Sequence, residues 1–244
     1  MILFRSTLYF IFLVLNTLLI AGIGTLIGWA IPEKKIYFID TTWSKVNLWG
    51  LSKICGLNYR LQGRENIPQE SCVILAKHQS AWETIALVSL IPGPKAWVLK
   101  RELLFIPIFG WVMWYFKPIA INRKSGHRAV DQIIEQGKER LSKGCKIIVF
   151  PEGTRVAPGS RKRYGAGGAL LAERSGHPVL PIAHNAGVFW RRRELRKYPG
   201  TIDVVIGPLI ETKGLSAQQI NAKAEAWIEE TVEKLPQLRD ESVA

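Results

Sequence analysis

The stretch Lys77-His78-Gln79-Ser80-Ala81-Trp82-Glu83 places a histidine and a carboxylate five positions apart, directly after the apolar run Ser71 to Ala76. A carboxylate that takes the imidazole Nδ1 proton fixes the tautomer and leaves Nε2 free to accept a proton from a hydroxyl. Residues five apart on a regular helix point about 140° away from each other. His78 and Glu83 therefore meet only if His78 lies in the turn that precedes a helix. No G-x-S-x-G elbow is present, so Ser80 reads as a helix-start group and the nucleophile is the substrate's own alcohol. The bland alternative is a histidine whose ring is satisfied structurally near a helix start.

Cations follow the other apolar runs. Lys100 and Arg101 come after Ala96 to Leu99, Arg123 follows Pro118 to Ile121, and Arg155 ends the turn Phe150-Pro151-Glu152-Gly153-Thr154-Arg155. In parallel strands these ends share one rim, where open α/β sheets bind ligands. A base ringed by Lys100, Arg123 and Arg155 suits a phosphorylated alcohol, with Arg for bidentate contact and Lys as a point charge. Basic residues that cap strands at a solvated surface are the competing explanation.

The elements that must position these groups alternate strand and helix, which predicts an α/β domain with a mostly parallel central sheet flanked by helices. Strands are expected at residues 71–76, 96–99, 118–121, 146–150, 179–183 and 202–206. Between Ser125 and Lys143 the apolar positions follow helical spacing, and Gly144 is placed to end that helix. Ser216 and Gln219 form a capping box, with Leu215 and Ile220 at the positions of a hydrophobic staple.

Ser6 to Ile31 carries no ionisable side chain and is long enough to cross a hydrocarbon core of roughly 30 Å, so an N-terminal membrane helix is expected over about residues 6–31. Residues 41–56 interleave Trp43, Leu48, Trp49 and Leu51 with Lys45 and Lys53 and read as an interfacial helix; packing on the main domain is the alternative. This divides the chain into a membrane anchor, 1–56, and a catalytic domain, 57–244. Lys34, Lys35 and Lys45 after the apolar segment, against Arg5 before it, favour the larger part of the chain on the cytoplasmic side. Leu103 to Phe116 is uncharged, apolar and broken by Pro107 and Gly110, suited to walling an acyl groove, dipping into a membrane or forming a buried core helix. Val188-Phe189-Trp190 beside Arg191 to Arg193 suits anionic headgroups.

The formal net charge of +13 points to anionic partners without choosing among them. Three widely spaced cysteines support neither a disulfide framework nor a zinc site. No phosphate-binding G-x-x-x-x-G-K-[ST] occurs, and His127, His177 and His184 stand apart from carboxylates or cysteines at ligand spacing, so no metal is expected. A membrane-tethered module that binds anionic lipid accounts for the charge but not for a strand-end histidine beside three phosphate-suited cations.

From about Leu61 to Pro208 these residues resemble the glycerolipid acyltransferases, most closely the bacterial 1-acyl-sn-glycerol-3-phosphate acyltransferases. The first motif, N-H-x4-D, appears as Lys77-His78 to Glu83, with Lys for Asn and Glu for Asp. The second appears as Lys100, Glu102, Leu103, Pro107, Gly110 and Arg123. The third, F-P-E-G-T-R, is complete at Phe150 to Arg155, and the fourth appears as Val179-Leu180-Pro181-Ile182. The resemblance implies direct transfer of an acyl chain from acyl-CoA or acyl-carrier protein to the sn-2 hydroxyl of lysophosphatidic acid. His78 and Glu83 would be catalytic, and Lys100, Arg123 and Arg155 would hold the phosphate. Glu152, Gly153 and Thr154 would support that turn. It implies no cofactor, no metal and no nucleic-acid partner; the partners are membrane lipids and the two substrates. Another lysolipid, such as a lyso-aminolipid, is the alternative acceptor.

Overall fold

The computed structural model describes residues 1–32, 35–122 and 127–237. Seven strands form one sheet in the order β1-β7-β6-β2-β5-β3-β4. They are β1 (Leu57–Gln62), β2 (Val73–Ala76), β3 (Lys95–Lys100), β4 (Ile119–Ile121), β5 (Lys146–Val149), β6 (Val179–His184) and β7 (Gly200–Ile206). The six expected strands are all present. The seventh, β1, escapes a hydrophobic reading because it is an edge strand whose one buried residue is Leu57.

Strands β2 to β6 run parallel, whereas β7 pairs antiparallel with β6, and β1 pairs parallel with β7. The two reversed strands at one side qualify the mostly parallel expectation. Between β6 and β7 lies only the short helix α7 (Ala186–Phe189) and a loop. No long helix carries the chain back across the sheet, as a parallel return requires.

Helices cover both faces. On one face α1 (Ile2–Ile27), α2 (Tyr37–Cys55), α3 (Trp82–Leu90) and α7 share a core with Ile74, Ala76, Ile148, Leu180 and Ile182. On the other, α5 (His127–Ser142), α6 (Gly167–Ser175) and α8 (Ala217–Lys234) pack with Val73, Leu75, Ile147 and Val149. Alternate residues of β2 thus enter opposite cores, as the two-residue repeat of a strand dictates, and its all-apolar run reflects burial on both sides. Ser216 caps α8 reciprocally with Gln219, as the sequence predicts, and Leu215 packs on the core that holds Ile220.

The apolar helix α1 with the 3-10 turn after it spans Ile2–Ala30, 29 residues, and is among the described residues the one helix long and apolar enough to cross a membrane. One of its faces is nonetheless packed along its length. Tyr9 meets Trp190 edge-on at 5.9 Å, Thr17 Oγ1 accepts the indole N–H of Trp43 at 2.9 Å, and a Cβ on Gly24 would fall 2.8 Å from Val112. The opposite face exposes Leu3, Phe4, Leu15, Leu19 and Leu26. Helix α2 begins before the expected residue 41, stops at Gly56 in a left-handed conformation, and packs on α3, where Ser44 Oγ donates to Ile85 O at 2.7 Å. Its other side presents Phe38, Lys45, Trp49 and Lys53 to solvent.

Between β3 and β4 the segment Leu103 to Phe116 includes the short helix α4 (Phe109–Met113). It is not a buried core helix: Phe105, Trp111 and Trp114 are exposed, while Val112 and Phe116 are buried. Gly110 is required here, because a Cβ would stand 1.9 Å from Leu104 O.

Candidate active site

His78 lies in the turn between β2 and α3, which begins at Trp82, so the geometric condition for meeting Glu83 is satisfied. Glu83 Oε1 lies 2.9 Å from His78 Nδ1 and accepts the backbone N–H groups of Gln79 and Ser80, each at 2.8 Å; Oε2 takes the Ser80 N–H at 3.1 Å. Those amides belong to the turn leading into α3, a position that favours a carboxylate. Ser80 is a helix-start group, its Oγ accepting the Trp82 N–H at 3.1 Å.

Glu83 is fully buried. Burial, the largest influence, pushes its carboxyl up, but His184, His78 and the Ser80 amide outweigh it and hold the carboxyl below its ordinary value. An ionised carboxylate accepts only, so His78 Nδ1 carries the proton and Nε2 is the remaining ring nitrogen. The imidazole stacks on Phe150 at 4.0 Å and 11°.

The backbone of the turn is held as firmly as the ring. The His78 N–H donates to Glu152 Oε2 at 2.6 Å, and its carbonyl accepts from Val156 N at 2.8 Å. His184 Nε2 donates to Lys77 O at 2.8 Å, and burial pushes this imidazole below its ordinary value. His184, which stands far from any carboxylate in sequence, comes within 3.9 Å of Glu83 Oε2.

His78 borders a cavity of about 390 Å³ with Lys100 and Arg155 on its lining. The rest is largely apolar: Ile20 and Ala21 of α1, Ile39 and Trp43 of α2, Trp97 and Leu99 of β3, and Leu103, Met113 and Phe116 of the following segment. The expectation of an apolar wall in Leu103 to Phe116 is met, and α1 and α2 supply the facing wall. A volume of this size accommodates a flexible chain.

The structure therefore brings together His78, Glu83, Lys100 and Arg155; Arg123 lies outside the described residues. Lys100 is exposed at the end of β3, and Arg155 is half-buried, with its carbonyl accepting from Arg192 Nη1 at 3.2 Å. That bond ties the basic run after Trp190 to the Phe150 to Arg155 turn. Glu152 does not face the cavity but lies buried behind His78, 2.8 Å from Lys77 Nζ. Gly153 has φ 67, and a Cβ there would meet nothing within 4 Å, so its backbone conformation, not close packing, accounts for glycine. Thr154 is half-buried in the same turn.

Sequence reasoning missed the role of Lys77, which is almost completely buried and paired with two carboxylates, Glu152 and Glu229. Its signal was available, since a lysine placed after an all-apolar strand must find buried anions. The identity of the second anion, on a helix 152 positions away, was not.

The Acyltransferase family profile matches residues 58–185. The chain is 41% identical over 235 residues to the 1-acyl-sn-glycerol-3-phosphate acyltransferase of Pseudomonas aeruginosa, covering 95% of this chain and 91% of that protein. It is 27% identical over 183 residues to human 1-acyl-sn-glycerol-3-phosphate acyltransferase alpha, covering 74% of this chain and 65% of that one. Its fold is that of PlsC, the 1-acyl-sn-glycerophosphate acyltransferase of Thermotoga maritima, whose crystal structure superposes with a TM-score of 0.78 over 94% of both chains at 24% identity.

Proposed function

From the premise that this chain belongs to the Acyltransferase family, we propose that it transfers an acyl chain from a thioester, acyl-CoA or acyl-carrier protein, to the sn-2 hydroxyl of 1-acyl-sn-glycerol 3-phosphate, giving phosphatidic acid for phospholipid synthesis. The observation that carries this reading is one cavity that joins an oriented imidazole, two cationic side chains and an apolar wall.

In this mechanism His78 Nε2 takes the hydroxyl proton as the alcohol oxygen attacks the thioester carbonyl. The tetrahedral intermediate collapses, the C–S bond breaks, and the imidazolium returns its proton to the departing thiolate. No acyl-enzyme forms. Glu83 keeps Nδ1 protonated and stabilises the cation that develops on the ring, a contribution of about a hundredfold or more for such a base. Lys100 and Arg155, joined by Arg123, bind the acceptor phosphate, and the apolar walls take an acyl chain. Alignment of the two substrates supplies several of the roughly 7 to 11 kcal/mol available from orientation.

We place the enzyme at the inner membrane with its catalytic domain on the cytoplasmic side; the apolar exposed face of α1 supports lipid association. The test is incubation of purified protein with radiolabelled acyl-CoA or acyl-carrier protein and lysophosphatidate, each compared with a lysolipid that lacks the phosphate monoester. Labelled phosphatidic acid from the first acceptor and much less product from the second is expected. Equal use of both would overturn the assignment of acceptor.

A further inference from the structure

Beneath the turn that carries His78 lies a set of buried ionisable groups that the transfer chemistry does not touch. Lys77 Nζ donates to Glu229 Oε1 at 2.7 Å and forms an ion pair with Glu152 Oε1 at 2.8 Å. Tyr164 OH donates to the same Glu229 oxygen at 2.8 Å. Glu152 turns its other oxygen to the His78 backbone N–H, at 2.6 Å. Lys77, Glu152, Glu229 and Tyr164 are each no more than 5% exposed.

Two carboxylates flank the one ammonium of Lys77, so the pair does more than supply a counter-charge. A flexible ammonium stem anchored by one anion can pivot; anchored between two, it has one place to stand. Glu229 is in turn fixed by the Tyr164 hydroxyl and by its position on α8, whose buried face includes Ile220, Ala224, Ile228 and Val232. The order of contacts therefore runs from a packed helix to Glu229, Lys77, Glu152 and the peptide nitrogen of His78.

We propose that Glu229, which lies on α8 beyond the residues matched by the family profile, is a positioning residue for His78. By pinning Lys77 it holds Glu152 in the orientation that clamps the His78 peptide, and so sets where the imidazole stands against the substrate hydroxyl. This rests on His78 being the base, as proposed above. A displacement of about an ångström at a reacting group can lower a rate by as much as about a hundredfold.

The test is a double-variant cycle on the full-length protein in mixed micelles, with Glu229→Gln, Lys77→Met and the pair combined. Each is assayed for kcat and for KM of both substrates, and its thermal unfolding is followed by circular dichroism. Glu229→Gln is expected to lower kcat about tenfold while both KM values stay within about twofold of the parent. The combined variant is expected to lose no more than the worse single variant, because both changes interrupt one path. It removes both charges of that pair, and Glu152, whose carboxyl burial already raises to about 7 against the pull of Lys77, takes up a proton once Lys77 is gone, so this variant decides the question if either single variant does not fold. Parent-like kcat in folded Glu229→Gln or in the combined variant, a loss confined to KM, or losses that multiply would overturn the proposal. His78→Ala is assayed alongside: full activity there defeats the choice of base, whereas an inactive His78→Ala with a parent-like Glu229→Gln defeats this inference alone.

Discussion

Glu83 Oε1 holds the Nδ1 of His78 at 2.9 Å while taking two backbone N–H groups of the turn between them. One oxygen thus fixes both the ring and the loop on which the ring is mounted. His78→Ala is expected to lower kcat at least about a hundredfold with the protein folded and lipid-associated. Glu83→Gln tests the orienter: its amide cannot match the acceptor capacity of a carboxylate, so kcat should fall and thermal stability should fall with it. Steady-state rates and a melting curve on each variant decide both points.

Arg155→Ala is expected to act on a different parameter. With the guanidinium lost from the cavity rim, the KM for a phosphorylated acceptor should rise about tenfold or more, while the KM for the acyl thioester changes little. An effect confined to the thioester would reject its role as a phosphate ligand.

Buried acids give the enzyme a characteristic response to pH. Burial raises the Glu152 carboxyl from its ordinary 4.5 to about 7, although Lys77 and the His78 amide pull it down. Between those two values the folded protein keeps a proton that the unfolded chain has released, so this group makes stability fall as pH rises from 4.5 towards 7, by up to about 3 kcal/mol. Glu83 acts in the opposite sense. Its carboxyl is held below the ordinary value, so its stabilisation is present above that value and is lost as pH falls through the folded one. Glu152→Gln should therefore flatten the loss of stability towards neutral pH, measured as the unfolding midpoint in denaturant at a series of pH values. An unchanged slope would refute the raised carboxyl.

The acyl wall predicts a change in chain-length preference. Ala21, on α1, is buried and lines the cavity. Ala21→Phe places a ring in that space, and overpacking of this kind typically costs about 1–3 kcal/mol. Long acyl thioesters should lose about tenfold or more in kcat/KM while short ones are spared, as read from a series of donors of increasing length. A uniform loss across the series would place Ala21 outside the chain's path.

Much of this arrangement could be read from residue order, for identifiable reasons. Val73 to Ala76 and Val179 to Ala183 are buried on both faces, so their apolar runs declare themselves. The S-x-x-Q pattern at Ser216 is local and was fully realised. The meeting of His78 and Glu83 follows from a turn of known length. β1 was invisible because Asn58, Tyr59 and Arg60 face solvent. The reversal of β7 depends on the path of a loop rather than on composition. The Lys77 pair with Glu229 joins positions 152 apart, and spacing carries no information over that distance. The cavity is likewise a product of tertiary packing, since its walls come from five separate stretches of chain.

Because Ile20 and Ala21 of the first helix form part of the cavity wall, that helix does more than tether a catalyst. Cutting it away to obtain a water-soluble fragment would expose the greasy side of the reaction chamber to bulk water. The same cut would take Thr17 away from the indole of Trp43 and Tyr9 away from the ring of Trp190. Solubility obtained by such a truncation would come at the expense of turnover.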